Sequence, residues 1–206
     1  MAKLFLMMGK SASGKDTLYR DIVEHFSGRL RTVVPYTTRP KRLGETEGVE
    51  YHFISEEEMR RMEAEGRIIE CRCYQTVHGP WYYMTADDGQ IDLTRSSSIL
   101  IVTPEAYERL LAYYGAENVV PLYVEVDDGA RLERALRRER KQAAPRYEEM
   151  CRRFLADAAD FSEEVLARLG IERRYVNEDY ERVLAEICET VAREGGDGLS
   201  GENMPC

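Results

Sequence analysis

Gly9-Lys10-Ser11-Ala12-Ser13-Gly14-Lys15-Asp16-Thr17 is the stretch around which the rest of the chain arranges itself. An apolar run, Leu4 to Met8, precedes it, and the helical pattern Leu18, Ile22, Val23, Phe26 follows. Strand, glycine-bounded loop and helix with G-x-x-x-x-G-K spacing make a phosphate-binding P-loop. The glycines let backbone N–H groups approach phosphate oxygens closely, and the helix that begins near Gly14 turns its positive end on the same anion. Lys15 adds a full charge beside the terminal phosphates. The candidate nucleotide contacts are therefore Gly9, Ser11, Ala12, Ser13, Gly14, Lys15, Asp16 and Thr17. The position after the lysine, normally Ser or Thr reaching magnesium, is Asp16 here. A carboxylate beside a polyanion is tolerable with a cation between them, so Asp16 is either a metal ligand or a solvated residue at the helix start.

The remainder reads as one domain. The 206 residues, 33% charged and 43% hydrophobic, suit a globular chain with a sizeable core. No apolar run approaches the ~18 residues of a membrane span, and the N-terminus lacks a secretory pattern. The net charge of -9 argues against general nucleic-acid binding. Five cysteines, an odd number with no zinc-finger spacing, read as reduced cytosolic thiols; the expected location is cytoplasmic.

Helices and strands alternate. After the first helix, stopped near Gly28, Leu30–Val34 reads as a strand, and Tyr36–Glu45 as a basic polar loop. Tyr51–Ile54 is a short strand. Ser55 with Glu58 forms a capping box for a helix ending at Gly66. Ile68 opens another strand, and Val77–Thr85 with Gly79-Pro80 suggests a hairpin. Ile99–Val102 and Val119–Val126 are buried-type strands, with Thr103-Pro104 starting the helix between them. A basic helix from Gly129 to about Lys141, one long helix from Tyr147 to Leu169, a strand at Arg174–Val176 and a helix from Glu178 to Glu194 complete the pattern. The spacing predicts an α/β fold: a P-loop NTPase-type parallel sheet with helices on both faces. A lobe is inserted at about 35–85, and a mobile tail follows from 195 to 206.

Thr37-Thr38-Arg39-Pro40-Lys41-Arg42-Leu43-Gly44-Glu45, then Gly48 and Tyr51-His52-Phe53, closely resembles the substrate lobe of guanylate kinases. Gly66-Arg67-Ile68-Ile69-Glu70 and Val77-His78-Gly79 with Tyr82-Tyr83 resemble that family's next two blocks. The likeness is strong over about the first 85 residues and weaker, but ordered, to about Asp179. It implies a kinase that moves the γ-phosphate of ATP, with Mg2+, to GMP or dGMP. Arg39 and Arg42, whose planar forks match phosphate oxygens, would hold the acceptor phosphate with Tyr51 and Tyr83. Glu70 would accept the side-by-side N–H groups of guanine, assisted by Thr85. Arg134, Arg138 and Arg153 resemble the arginines of that family's helical lid, which the likeness places at about 134–153; they would close over the reacting group and, with Lys15, be catalytic. Asn177 resembles an adenine-side contact. The expected partners are small-molecule nucleotides, with no nucleic acid or membrane, on a monomer or homodimer.

The chain also departs from the family. Pro35 stands where a base-contacting serine is usual, about three extra residues separate Glu70 from His78, and the strand aspartates expected near Ile101 and Thr103 are absent. Asp16 would then replace a lost carboxylate at magnesium. Two rival readings follow: a related kinase for another phosphorylated acceptor, such as a ribose bisphosphate, and an inactive binding module of the same fold.

Overall fold

The computed structural model describes residues 1–42, 44–76, 79–196 and 198–199. Val77 and His78 of the expected hairpin, Leu43 of the basic loop and most of the expected tail lie outside the described residues.

A five-residue strand sits at the centre. In β1, Leu4–Met8, every side chain is buried. Alternate residues of a strand face opposite ways. Leu4, Leu6 and Met8 accordingly enter one apolar cluster, and Phe5 and Met7 the other. Four strands join β1 in the order β2-β7-β1-β8-β9, all parallel. They are β2, Arg31–Thr32; β7, Ser98–Ile101; β8, Val119–Glu125; and β9, Arg174–Val176. Helices α1, Lys15–His25, and α7, Tyr180–Glu194, cover one face through Leu18, Ile22, Val183, Ile187 and Val191. Helix α3, Pro104–Tyr114, and α6, Glu163–Arg168, cover the other through Tyr107, Leu110 and Leu166. This is the parallel, doubly covered sheet read from the sequence. In such sheets ligands bind beyond the carboxyl ends of the strands, where this chain places the P-loop, Thr103, Glu125 and Asn177.

The lobe is a second sheet, ordered β4-β3-β6-β5. It comprises β3, Tyr36–Thr37; β4, His52–Phe53; β5, Ile68–Thr76; and β6, Gly79–Ala86, with α2, Glu56–Ala64, packed between β4 and β5 in sequence. Ser55 caps α2 by accepting the Glu58 N–H at 3.1 Å. Two expectations change here. Tyr36–Thr37, read as the start of a loop, is a strand because Met84 and Tyr83 of β6 pair with it. The suggested hairpin is formed by β5 and β6 and begins earlier than Val77, with Gly79-Pro80 inside β6 opposite Thr76 and Gln75. Strand β5 forms the outer edge of this sheet.

The long helix expected from Tyr147 to Leu169 is two helices. Helix α5, Tyr147–Asp160, ends where Phe161 turns into the core and stacks on Tyr123 at 5.6 Å. Ser162 then caps α6 by accepting the Val165 N–H. Helix α4, Asp128–Arg140, is capped by Asp127. The tail expected from Gly195 begins packed, with Leu199 in the α1–α7 cluster. Among the described residues no helix is long and apolar enough to cross a membrane.

Ser162→Ala removes a cap worth about 1 kcal/mol. Urea unfolding is expected to show that loss. Phe161→Ala, which empties a stacked core position, is expected to cost roughly 3–5 kcal/mol.

Candidate functional site

The P-loop is shaped by what it lacks. A Cβ on Gly9 would stand 2.6 Å from the Val124 carbonyl oxygen and 2.8 Å from Ser13 Oγ. Gly14 has φ 89°, and a Cβ there would meet Asn177 Nδ2 at 2.5 Å. That same amide donates to the Ser13 carbonyl at 2.8 Å, locking the loop to the end of β9. Ala12 holds φ 64°, a left-handed conformation that costs an alanine about 1–3 kcal/mol. No side chain caps the start of α1, so its first N–H groups stay available. Ser13 Oγ is buried with no hydrogen-bond partner, which in a native fold calls for an explanation such as a bound group.

Lys15 Nζ lies 3.3 Å from the Asp16 carboxylate, whose side chain is 76% exposed. Among the described residues no group of three His, Cys, Asp or Glu side chains could enclose a metal. One exposed carboxylate suits magnesium, which keeps several waters and binds phosphates rather than needing a protein cage.

The lobe carries the second cluster. Arg39 is 4% exposed, and both terminal nitrogens of its fork bind Glu45, at 2.7 and 2.5 Å. Its guanidinium also sits over Tyr51 at 5.0 Å and Phe53 at 5.3 Å. Nη1 reaches the Pro40 carbonyl as well. Of the five N–H groups of an arginine, the Nε–H and one on Nη2 are left over. Arg42 donates its backbone N–H to Glu45, and its side chain is exposed. Tyr51 packs on Tyr83 at 5.7 Å, and burial raises its phenol above the usual value, keeping the hydroxyl a donor.

Glu70 is 4% exposed. Thr85 donates its hydroxyl to Oε1 at 2.7 Å. A residue that the motif search passed over completes this group. Arg72 donates from Nε to Glu70 Oε2 at 3.0 Å and from Nη2 to Oε1 at 3.3 Å. Its Nη1 reaches Thr103 Oγ1 at 3.2 Å, tying the lobe to the segment between β7 and α3 at the carboxyl end of the central sheet. Burial works against the Arg72 cation, but the Glu70 charge outweighs it and its pKa lies above the usual value. The signal was present in the sequence: residues two apart in a strand share a face.

In the lid, Arg134 donates to the Asn177 carbonyl at 3.2 Å, and Arg153 pairs with Glu149 at 2.8 Å. Arg138 is exposed on the same helix as Arg134. The residue that holds α4 and α5 to the P-loop is Arg131, 1% exposed. It binds Asp128 at 3.0 Å and Asp157 at 2.9 Å, and stacks over Phe154 at 4.0 Å. Asp157 in turn accepts the Ser11 N–H at 2.8 Å. Burial opposes the Asp128 charge, but Arg131 and Lys10 hold that carboxyl below its usual range. Helix α5 itself buries none of its residues.

Compared with known proteins, residues 1–167 match the family described as guanylate kinase. A guanylate kinase from Syntrophotalea carbinolica is 30% identical, aligning with 93% of this chain and 86% of its own length. One from Rubrobacter xylanophilus is 32% identical over 95% of this chain and 97% of its own. Among solved structures, a guanylate kinase from Anaplasma phagocytophilum has the same fold, with a TM-score of 0.67 at 21% identity over 96% of this chain and 88% of its own.

The Arg39 fork is the main cause of a Glu45 pKa of about 2, against 4.5 for an unperturbed side chain. A carboxylate depressed in the folded state stabilises it above its unfolded pKa. That contribution is fully present above about pH 4.5 and is lost as pH falls through about 2. In Glu45→Gln this dependence is expected to vanish, flattening acid sensitivity of the loop in hydrogen exchange of amides between Arg39 and Tyr51.

Proposed function

The chain belongs to the guanylate kinase family, and we propose that it transfers the γ-phosphate of MgATP to GMP or dGMP, giving ADP and GDP or dGDP. The observation that carries the choice of acceptor is the Glu70 carboxylate, buried with the Thr85 hydroxyl on it. A carboxylate accepts the adjacent N1–H and 2-amino groups of guanine, an edge adenine does not present.

Phosphoryl transfer asks the protein mainly to align two oxygens and to neutralise charge on the moving group. The amides of Ala12, Gly14 and Lys15 cradle the donor phosphates and Lys15 balances their charge, while the Ser11 and Ser13 N–H groups are held by Asp157 and the Lys10 carbonyl. The acceptor phosphate is held by Arg42, by the Tyr51 and Tyr83 hydroxyls, and by the two Arg39 N–H groups that Glu45 leaves over. Glu45 thereby keeps the Arg39 fork in one orientation. Magnesium would supply further charge neutralisation, with Asp16 and Thr17 on its protein side. Arg134, Arg138 and Arg153 act from the lid at about 134–153, which closes with the lobe at about 35–85 and excludes water. Arg134, already on the Asn177 carbonyl, stands on the donor side.

A coupled assay of ADP release over GMP, dGMP, AMP, UMP and ribose phosphates tests this. Turnover is expected with GMP and dGMP. Preference for a ribose phosphate would overturn the choice of acceptor, and failure to bind MgATP in calorimetry would overturn the kinase reading itself. Lys15→Ala is expected to lower turnover by roughly 10²–10³, as removal of one transition-state donor does. Asp16→Ser is expected to raise the magnesium needed for half-maximal rate roughly tenfold, the value of one charge-assisted contact. An unchanged requirement would return Asp16 to the solvent.

A further inference from the structure

Glu70 does not stand alone, and its partner has chemistry to spare. Glu70 and Arg72 project from one face of β5, with side chains 1% and 15% exposed. A carboxylate has about four lone-pair sites and an arginine five N–H groups. The Thr85 hydroxyl and two Arg72 nitrogens occupy three of those sites. Arg72 spends three N–H groups on Glu70 and Thr103, leaving two. The pair therefore presents acceptor and donors side by side, fixed from behind by Thr85 and Thr103.

A carboxylate alone matches only half of guanine. Beside N1–H the base carries O6, an acceptor, and an acceptor facing a carboxylate oxygen is repelled. A guanidinium is a strong partner for that oxygen; arginine to guanine O6 and N7 is the commonest specific contact in DNA readout. Adenine would set its 6-amino donor against the guanidinium donors, so the same group rejects the wrong base.

We propose that Arg72 is a specificity-determining residue that donates to O6 of the acceptor base while Glu70 takes the neighbouring N–H edge. The inference rests on the GMP reading above. Arg72 eases one of its bonds to Glu70 as the base enters, and the N–H groups of the base replace it on the carboxylate.

The test compares kcat/KM for GMP, 6-thio-GMP, whose sulfur is a poor acceptor, and IMP, which keeps O6 and lacks the 2-amino group. The wild-type chain is expected to prefer GMP to 6-thio-GMP at least tenfold. Arg72→Met is expected to lower kcat/KM for GMP roughly 10- to 100-fold, the range for a hydrogen bond to a charged group. It should affect 6-thio-GMP far less and leave the GMP-to-IMP ratio unchanged. Equal losses on GMP and 6-thio-GMP, or a fall in the GMP-to-IMP ratio alone, would make Arg72 only a brace for Glu70 and overturn the proposal. So would a wild-type chain indifferent to the 6-position, a result that needs no variant to fold. Wild-type turnover of GMP without that discrimination defeats this inference alone; no turnover of GMP defeats the reading beneath it as well.

Discussion

The constraint on which the rest of the structure depends is the close approach of the P-loop to the ends of β8 and β9. There is no room for a methyl group at Gly9, where the Val124 carbonyl lies 2.6 Å from where a Cβ would be, or at Gly14 against Asn177. With those two positions bare, the loop closes tightly enough to aim its amides inward, and Ala12 is held in a conformation it would not choose. The all-buried β1 supplies the rigidity behind it. Lobe, lid and strand ends are placed relative to this loop.

Three arginines then tie the outlying parts down. Arg39 in the lobe loop, Arg72 on the lobe strand and Arg131 in the lid are each largely buried with a carboxylate partner. Burying an ion pair is weak evidence for stability, since desolvation consumes much of the attraction, but breaking one by removing a partner costs about 3–5 kcal/mol. Such pairs specify position more than they add stability. Arg72 reaches from β5 to Thr103 and Arg131 from α4 to Asp157 beside the P-loop, and each of the three keeps a guanidinium oriented in a chain whose net charge is -9.

What could be read from the sequence follows the range of the forces involved. The P-loop, the parallel sheet and the Ser55 and Thr103 boundaries depend on neighbours in the chain, and they were legible. The strand at Tyr36–Thr37 exists because β6, more than forty residues on, pairs with it. The break after Asp160 exists because Phe161 finds Tyr123; periodicity sees only a continuous amphipathic run. In the site, the resemblance picked out Glu70, Thr85, Arg39 and Asn177, and all four are buried. It could not supply the bond partners. Arg72 sits beside the family pattern's extra residues, and Asp157 lies 146 positions from the Ser11 amide it binds. Glu45 was quoted as part of a motif, yet nothing in its spacing announced that it would occupy the Arg39 fork.

The two ends of the central sheet are short, two residues in β2 and three in β9, too little to template another chain. The lobe is different. Its edge strand β5 runs nine residues with β6 as its one strand neighbour among the described residues, and helix α3 packs against it. Long free margins of this kind invite strand addition from other molecules, and charged or polar side chains are the usual deterrent. Here Arg72, the one arginine within β5, folds its charge inward, leaving Cys71, Cys73, Tyr74 and Gln75 exposed along that margin. Of the sheet edges among the described residues, this rim is the longest without a second strand partner.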